Sequence, residues 1–150
     1  LKIAVAADDA GLELKNILSR MLSEDPRVTE VHDHGVHVPD DDRPYPPLGI
    51  AAAEAVARGE ADRALLVCGT GIGMCVSANK VPGIRATVAH DAYSVERSVE
   101  SNDCQVLAMG ARVIGPELAK RVVGEWLGHT FDPASPSAAK VARISAYEQS

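Results

Sequence analysis

The sequence predicts an α/β protein: a single doubly wound, Rossmann-like sheet of five parallel strands, with helices on both faces and a further helix at the C-terminus. Three observations carry this. Five short apolar runs alternate with segments of helical period. The chain has 150 residues, 46% of them apolar and 24% charged, which suits one globular domain over residues 1–150. A glycine-rich turn joins one buried run directly to a helix, as in sheets that place their sites at strand carboxyl ends.

In chain order, residues 3–7 read as the first strand. Leu12, Leu14, Ile17, Leu18, Met21 and Leu22 then mark one face of a helix. Residues 28–31 read as the second strand, and the polar, Pro-rich residues 32–47 as a loop. An Ala-rich helix over 50–57 closes at Gly59. Residues 64–67 form the third strand, 69–73 a turn, and 74–79 the helix that it opens. The fourth strand spans 84–89, and Asp91 starts a helix to about Ser101. The fifth strand spans 105–109. The helix over 116–127 has proline near its start, where a missing N–H costs nothing. A linker over 131–136 leads to a terminal helix over 138–149.

Composition removes several function classes. Aromatics are only 3%, too few for a base-stacking platform. Net charge is -6 and the basic residues are scattered, so a nucleic-acid partner is not expected. No apolar run approaches the length of a membrane span. The start of the chain lacks a charged region followed by an apolar stretch and a cleavage site, so a cytoplasmic location is expected. Cys68, Cys75 and Cys104 are an odd set at irregular spacing, which fits reduced thiols; Cys75 and Cys104 read as small core residues. His32, His34 and His37 alternate in or beside a polar loop, and Asp40 to Asp42 read as solvated. No metal site is expected among them. His90, at the end of the fourth strand, reads as structural.

The chemistry concentrates in Leu65-Leu66-Val67-Cys68-Gly69-Thr70-Gly71-Ile72-Gly73-Met74. Three glycines in five residues let a ligand approach the backbone, and the N–H groups at the helix start favour an anion. A plain tight turn is the alternative. The spacing is not that of a dinucleotide fingerprint, and no Walker lysine follows. Cys68 would stand beside this cradle as a thiolate able to remove a carbon-bound proton, with N–H groups at hand for the enediolate oxygen. Asp8 and Asp9 follow the first strand; one reads as a helix cap, the other as facing the same cleft.

DDAGLELK (Asp8 to Lys15), Tyr45-Pro46, Gly59-Glu60-Ala61-Asp62 and, above all, CGTGIGMCVSANK (Cys68 to Lys80) bring a family into view. Gly83-Ile84-Arg85-Ala86, Asn102-Asp103 and GARVIGPEL (Gly110 to Leu118) follow in order. Over nearly its whole length the chain resembles the type B ribose-5-phosphate isomerases and the galactose-6-phosphate isomerase subunits. The resemblance implies a phosphorylated sugar as substrate, a homodimer or homotetramer with shared active sites, and no metal or organic cofactor. It places Cys68 on the proton-abstracting base, Gly69, Gly71, Ile72 and Gly73 on the anion loop with Thr70, and Asp8 on a substrate hydroxyl. It places Asn102 on a contact from the neighbouring subunit, Arg112 and Lys140 on the phosphate side, and Tyr45 on the cleft wall.

Two departures bear on the substrate. Asp9 stands where the family usually has histidine, and Ser101 where it has the histidine taken as the ring-opening acid. Serine cannot replace imidazole near neutral pH. A substrate that needs no ring opening follows as a hypothesis: D-erythrulose 4-phosphate and D-erythrose 4-phosphate. Ribose 5-phosphate is the second reading and a hexose 6-phosphate the third. A non-catalytic sugar-phosphate sensor on the same fold is the reading from another class.

Overall fold

The computed structural model describes all 150 residues. Its strands are β1 (Lys2–Ala7), β2 (Glu30–Asp33), β3 (Arg63–Cys68), β4 (Ala86–Val88) and β5 (Val106–Gly110). They form one all-parallel sheet in the order β2-β1-β3-β5-β4. The helices are α1 (Leu12–Glu24), α2 (Tyr45–Ala57), α3 (Ile72–Ala78), α4 (Ala92–Glu100), α5 (Pro116–Trp126) and α6 (Ser137–Glu148). β1, β3 and β5 are buried on both faces, which is why each reads as an unbroken apolar run.

Two cores result. One packs α1, α4 and α5 on Ile3, Val5, Leu65, Val67, Leu107 and Met109, around the fully buried Trp126. The other packs α2 and α3 on Ala4, Ala6, Leu66 and Ala108. The small alanines on that side let Leu48, Ala52 and Met74 come close. From β1 the chain moves outward to β2, then returns across the sheet to β3. The connections leaving β1 and β3 therefore part to opposite faces, which opens a crevice beyond their carboxyl ends.

Several expected boundaries move, for physical reasons. α2 begins at Tyr45 and not at residue 50, because Pro46 and Pro47 fall in its first turn, where no N–H is needed. The expected loop over 32–47 thus loses its last three residues to a helix. β2 lies two residues later than expected; it is an edge strand with no fully buried position, so the apolar pattern did not mark it. β4 is shorter than expected, since Ile84 belongs to a turn closed by its N–H to the Val81 carbonyl. Neither Asp8 nor Asp9 is the helix cap; Gly11 is. Cys75 and Cys104 are half-buried, not core residues. Only Val141 of α6 is buried. No helix is long and apolar enough to cross a membrane.

Lys15 has only 1% of its surface exposed. Its ammonium donates to Asp33 Oδ2 and to the Val36 carbonyl, both at 2.6 Å. A buried charge needs such partners. These tie α1 to the end of β2 and to the segment leading to Tyr45.

The approach of α1 to β3 is set by Gly11, where a Cβ would lie 2.3 Å from the Val67 carbonyl oxygen. Gly11→Ala must push α1 off the sheet. Urea unfolding is expected to show a loss of about 2–3 kcal/mol. Gly124→Ala in α5, where a Cβ meets nothing within 4 Å, is expected to be neutral or stabilising by up to about 1 kcal/mol.

Candidate active site

The crevice between β1 and β3 is a cleft of about 550 Å³. Asp8, Asp9 and Ala10 line it from the end of β1, and Cys68, Gly69 and Thr70 from the end of β3. Tyr45, Ile72, Gly73, Val76 and Arg112 complete the wall. Ala10 and Val76 carry no chemistry-bearing group, so nothing in the sequence singled them out.

Cys68 is buried, with 4% of its surface exposed. The Gly71 N–H donates to its Sγ at 3.1 Å, so the positive end of a peptide dipole faces the sulfur. Gly71 makes this possible: its φ is +82°, and a Cβ there would lie 2.9 Å from the Met109 carbonyl carbon. The Ile72 N–H donates to Thr70 Oγ1 at 3.2 Å, which folds the turn back on itself. The Tyr45 ring lies against Gly73, where a Cβ would sit 2.5 Å from ring carbons. The Arg112 side chain lies over Gly69, and the Arg112 backbone N–H donates to the Gly69 carbonyl at 3.0 Å.

Both aspartates accept hydrogen bonds from their own turn. Asp8 Oδ1 takes the Gly11 N–H at 3.1 Å, and Asp9 Oδ1 takes the Ala10 N–H at 2.9 Å. Burial pushes the Asp8 carboxyl above its ordinary pKa. The Asp9 charge adds to this, while the Gly11 N–H and Arg112 pull the other way.

Four predicted residues do not line the cleft. Gly71 is buried and reaches the site through its N–H on the Cys68 sulfur. Ser101 is the C-cap of α4, and its hydroxyl accepts from Arg97 Nη1 at 3.0 Å. Asn102 lines a separate groove of about 780 Å³ between β4, α4 and α6. Arg85 holds the Asn102 turn by donating from Nε to the Asn102 and Asp103 carbonyls at 3.1 and 2.9 Å. Lys140 is exposed on α6. The larger groove holds Cys104 and Glu148, and Glu148 Oε2 takes the Gly83 N–H at 2.9 Å, but these residues gather where the chain enters β4 and β5; a thiol set against a backbone donor at a strand's carboxyl end is found in the smaller cleft, where proton chemistry fits. No three His, Cys, Asp or Glu side chains come together as metal ligands.

Residues 3–144 match the Ribose/Galactose Isomerase family. D-erythrulose-4-phosphate isomerase 2 of Mycolicibacterium smegmatis is 60% identical over 148 residues, covering 99% of this chain and 97% of that one. D-erythrulose-4-phosphate isomerase of Pectobacterium atrosepticum is 45% identical over 148 residues, covering 99% and 95%. Among solved structures, ribose-5-phosphate isomerase B of Clostridium thermocellum superposes with a TM-score of 0.93 at 40% identity, covering 99% and 98%. The chain therefore belongs to the ribose/galactose isomerase family.

The raised Asp8 pKa gives a stability prediction. The fold favours the protonated carboxyl, so this contribution is present at low pH and is lost as pH rises through the raised value. Asp8→Asn keeps an oxygen for the Gly11 N–H and removes the charge. It is expected to melt above the wild type at pH 7–8, with the gap closing toward pH 4. If Asp8 meets substrate, kcat/KM falls about 10- to 100-fold in the same variant. Thermal melts across pH and steady-state kinetics check both.

Proposed function

We propose that this chain interconverts an aldose phosphate and a ketose phosphate through an enediolate, with Cys68 as the base. The observation that carries this is a cysteine sulfur held by a backbone N–H inside a cleft flanked by Asp8 on one side and Arg112 on the other. The thiolate removes the proton from the carbon next to the carbonyl. The electron pair enters a carbon–carbon double bond, and the carbonyl oxygen becomes the enediolate oxygen. Thr70 and the N–H groups of the 69–73 turn hold that oxygen. The proton returns from sulfur to the neighbouring carbon, and the hydroxyl proton moves between the two oxygens.

Charge orients the substrate. Asp8 and Asp9 repel a phosphate and accept sugar hydroxyls, so the phosphate lies toward Arg112. Tyr45 closes the wall beside Gly73. One guanidinium against two carboxylates leaves the cleft short of positive charge for a phosphate dianion. Ser101, Asn102 and Lys140 lie elsewhere on the chain, and we assign them to the site of a second copy in a homodimer or homotetramer.

For the substrate we infer D-erythrulose 4-phosphate and D-erythrose 4-phosphate. A four-carbon sugar phosphorylated on its terminal hydroxyl has no free hydroxyl to close a furanose, so no ring-opening acid is needed. Ser101, bonded to Arg97, offers none. Relatives 60% and 45% identical bear D-erythrulose-4-phosphate isomerase names, which supports the four-carbon reading. The ribose-5-phosphate isomerase B of Clostridium thermocellum, 40% identical, makes ribose 5-phosphate the second reading.

Hydrogen–deuterium exchange in heavy water against four-, five- and six-carbon sugar phosphates checks chemistry and substrate together. Deuterium is expected next to the carbonyl of the four-carbon sugar, with Cys68→Ala slower by about 10³-fold. Binding without exchange for every sugar would mean a sensor instead. Subunit sharing has its own test. Mixing inactive Cys68→Ala with inactive Asn102→Ala, then allowing exchange of subunits, is expected to restore about a quarter of wild-type activity. No recovery despite proven mixing would place Asn102 outside the partner's site.

A further inference from the structure

His90 has no place in the cleft wall, yet its ring touches the segment that carries Arg112. β4 stops at Val88, and the Ala89 N–H still reaches the Ala108 carbonyl at 3.2 Å. Two residues further along β5, the Gly110 N–H has no strand left to pair with. The His90 ring takes the strand's place: Gly110 N–H donates to His90 Nε2 at 2.9 Å. Nε2 therefore carries the lone pair and Nδ1 the proton.

From Gly110 the chain turns over the loop that follows β3. The Gly110 carbonyl accepts the Val113 and Ile114 N–H groups, both at 3.0 Å. Ala111 N–H reaches the Cys68 carbonyl at 2.9 Å, and Arg112 N–H reaches the Gly69 carbonyl at 3.0 Å. A Cβ on Gly110 would lie 2.6 Å from Thr70 Cα, so the two backbones are in direct contact. Movement of Gly110 is passed on to Thr70 and to Arg112 alike.

We propose that His90 is a positioning residue: as a neutral acceptor for the Gly110 N–H, it fixes the 110–114 turn and thereby the place of Arg112 over the cleft. This rests on the reading of Arg112 as the phosphate-side cation. Asp91 is the charged side chain whose field acts on the ring, and its carboxylate is engaged by the Ser94 N–H at 2.7 Å as the cap of α4. Burial lowers the His90 pKa below the ordinary histidine value, with Asp91 opposing. Protonation would set an Nε2–H donor against the Gly110 donor and break the bond. Because the folded value is the lower one, the bond's contribution is complete above the ordinary histidine pKa. It is lost as pH falls through the lowered value.

The test measures binding of inorganic phosphate from pH 5 to 8, each variant taken relative to wild type at the same pH. Arg112→Met is expected to weaken binding about tenfold or more. His90→Leu is expected to weaken it about fivefold at pH 7.5 and to add nothing in the Arg112→Met background. His90→Gln, whose amide oxygen can replace Nε2, is expected to stay within about twofold of wild type at pH 7.5. Toward pH 5 it should gain on wild type, because glutamine does not titrate. His90→Leu binding as wild type does, or a His90→Gln ratio constant down to pH 5, would overturn the proposal; the second result decides even if the leucine variant fails to fold. If Arg112→Met binds phosphate normally, the phosphate reading has failed, and the amide resonances decide the positioning role. Those of residues 110–114 should shift in His90→Leu and hold in His90→Gln; equal behaviour of the two variants would overturn it.

Discussion

Three backbones meet at the carboxyl ends of the central strands with no room for a side chain between them, and the site depends on that contact. Gly71 rests on Met109 of β5, and Gly110 rests on Thr70 of the loop after β3. The left-handed turn at Gly71 aims an N–H at the Cys68 sulfur. The same contact lets the Arg112 turn fold back over Gly69. A side chain at either glycine would part the Cys68 sulfur from its dipole and from the Arg112 guanidinium. Gly11 makes the matching approach from the β1 side, which brings Asp8 and Asp9 to the same opening.

The electrostatics of this opening are divided, not uniformly positive. Two carboxylates stand at the end of β1, one guanidinium stands beyond β5, and the sulfur lies between them under a peptide dipole. Burial keeps Asp8 readier to take a proton than an ordinary carboxyl. Such a division suits a small polar chain with hydroxyls at one end and an anion at the other. A second copy matters for the same reason: the remaining polar groups implied by the resemblance lie at the end of α4 and on α6, outside their own cleft. The α4 end is nonetheless held firmly, with Arg97 on Ser101 and Arg85 on the Asn102 turn.

Much of this was legible in the sequence, and the reasons are specific. β1, β3 and β5 are covered on both faces, so burial forces continuous apolar runs that can be read directly. The Cys68–Gly73 turn was legible because its glycines answer steric demands. β2 and the start of α2 were not, because an edge strand needs no apolar pattern and because paired prolines disguise a helix start as a loop. Burial of Lys15 and the acceptor role of His90 depend on contacts across 21 and 20 residues of chain, which no local pattern encodes. The placing of Ser101 and Asn102 away from the cleft follows from topology, since β4 and the helix after it lie on the far side of β5 from β3.

In the proposed reaction, proton transfer occurs at Cys68 in the β1–β3 crevice. The decisive measurement is a crystal structure with the hydroxamate of 3-phosphoglyceric acid, which has the shape of a four-carbon enediolate. The hydroxamate oxygens are expected on the 69–73 turn, the hydroxamate carbon and nitrogen within about 3.5 Å of Cys68 Sγ, and the phosphate toward Arg112. An analogue seated in the groove beside Asn102 and α6, or bound in the crevice with its hydroxamate turned away from the sulfur, would contradict that reaction.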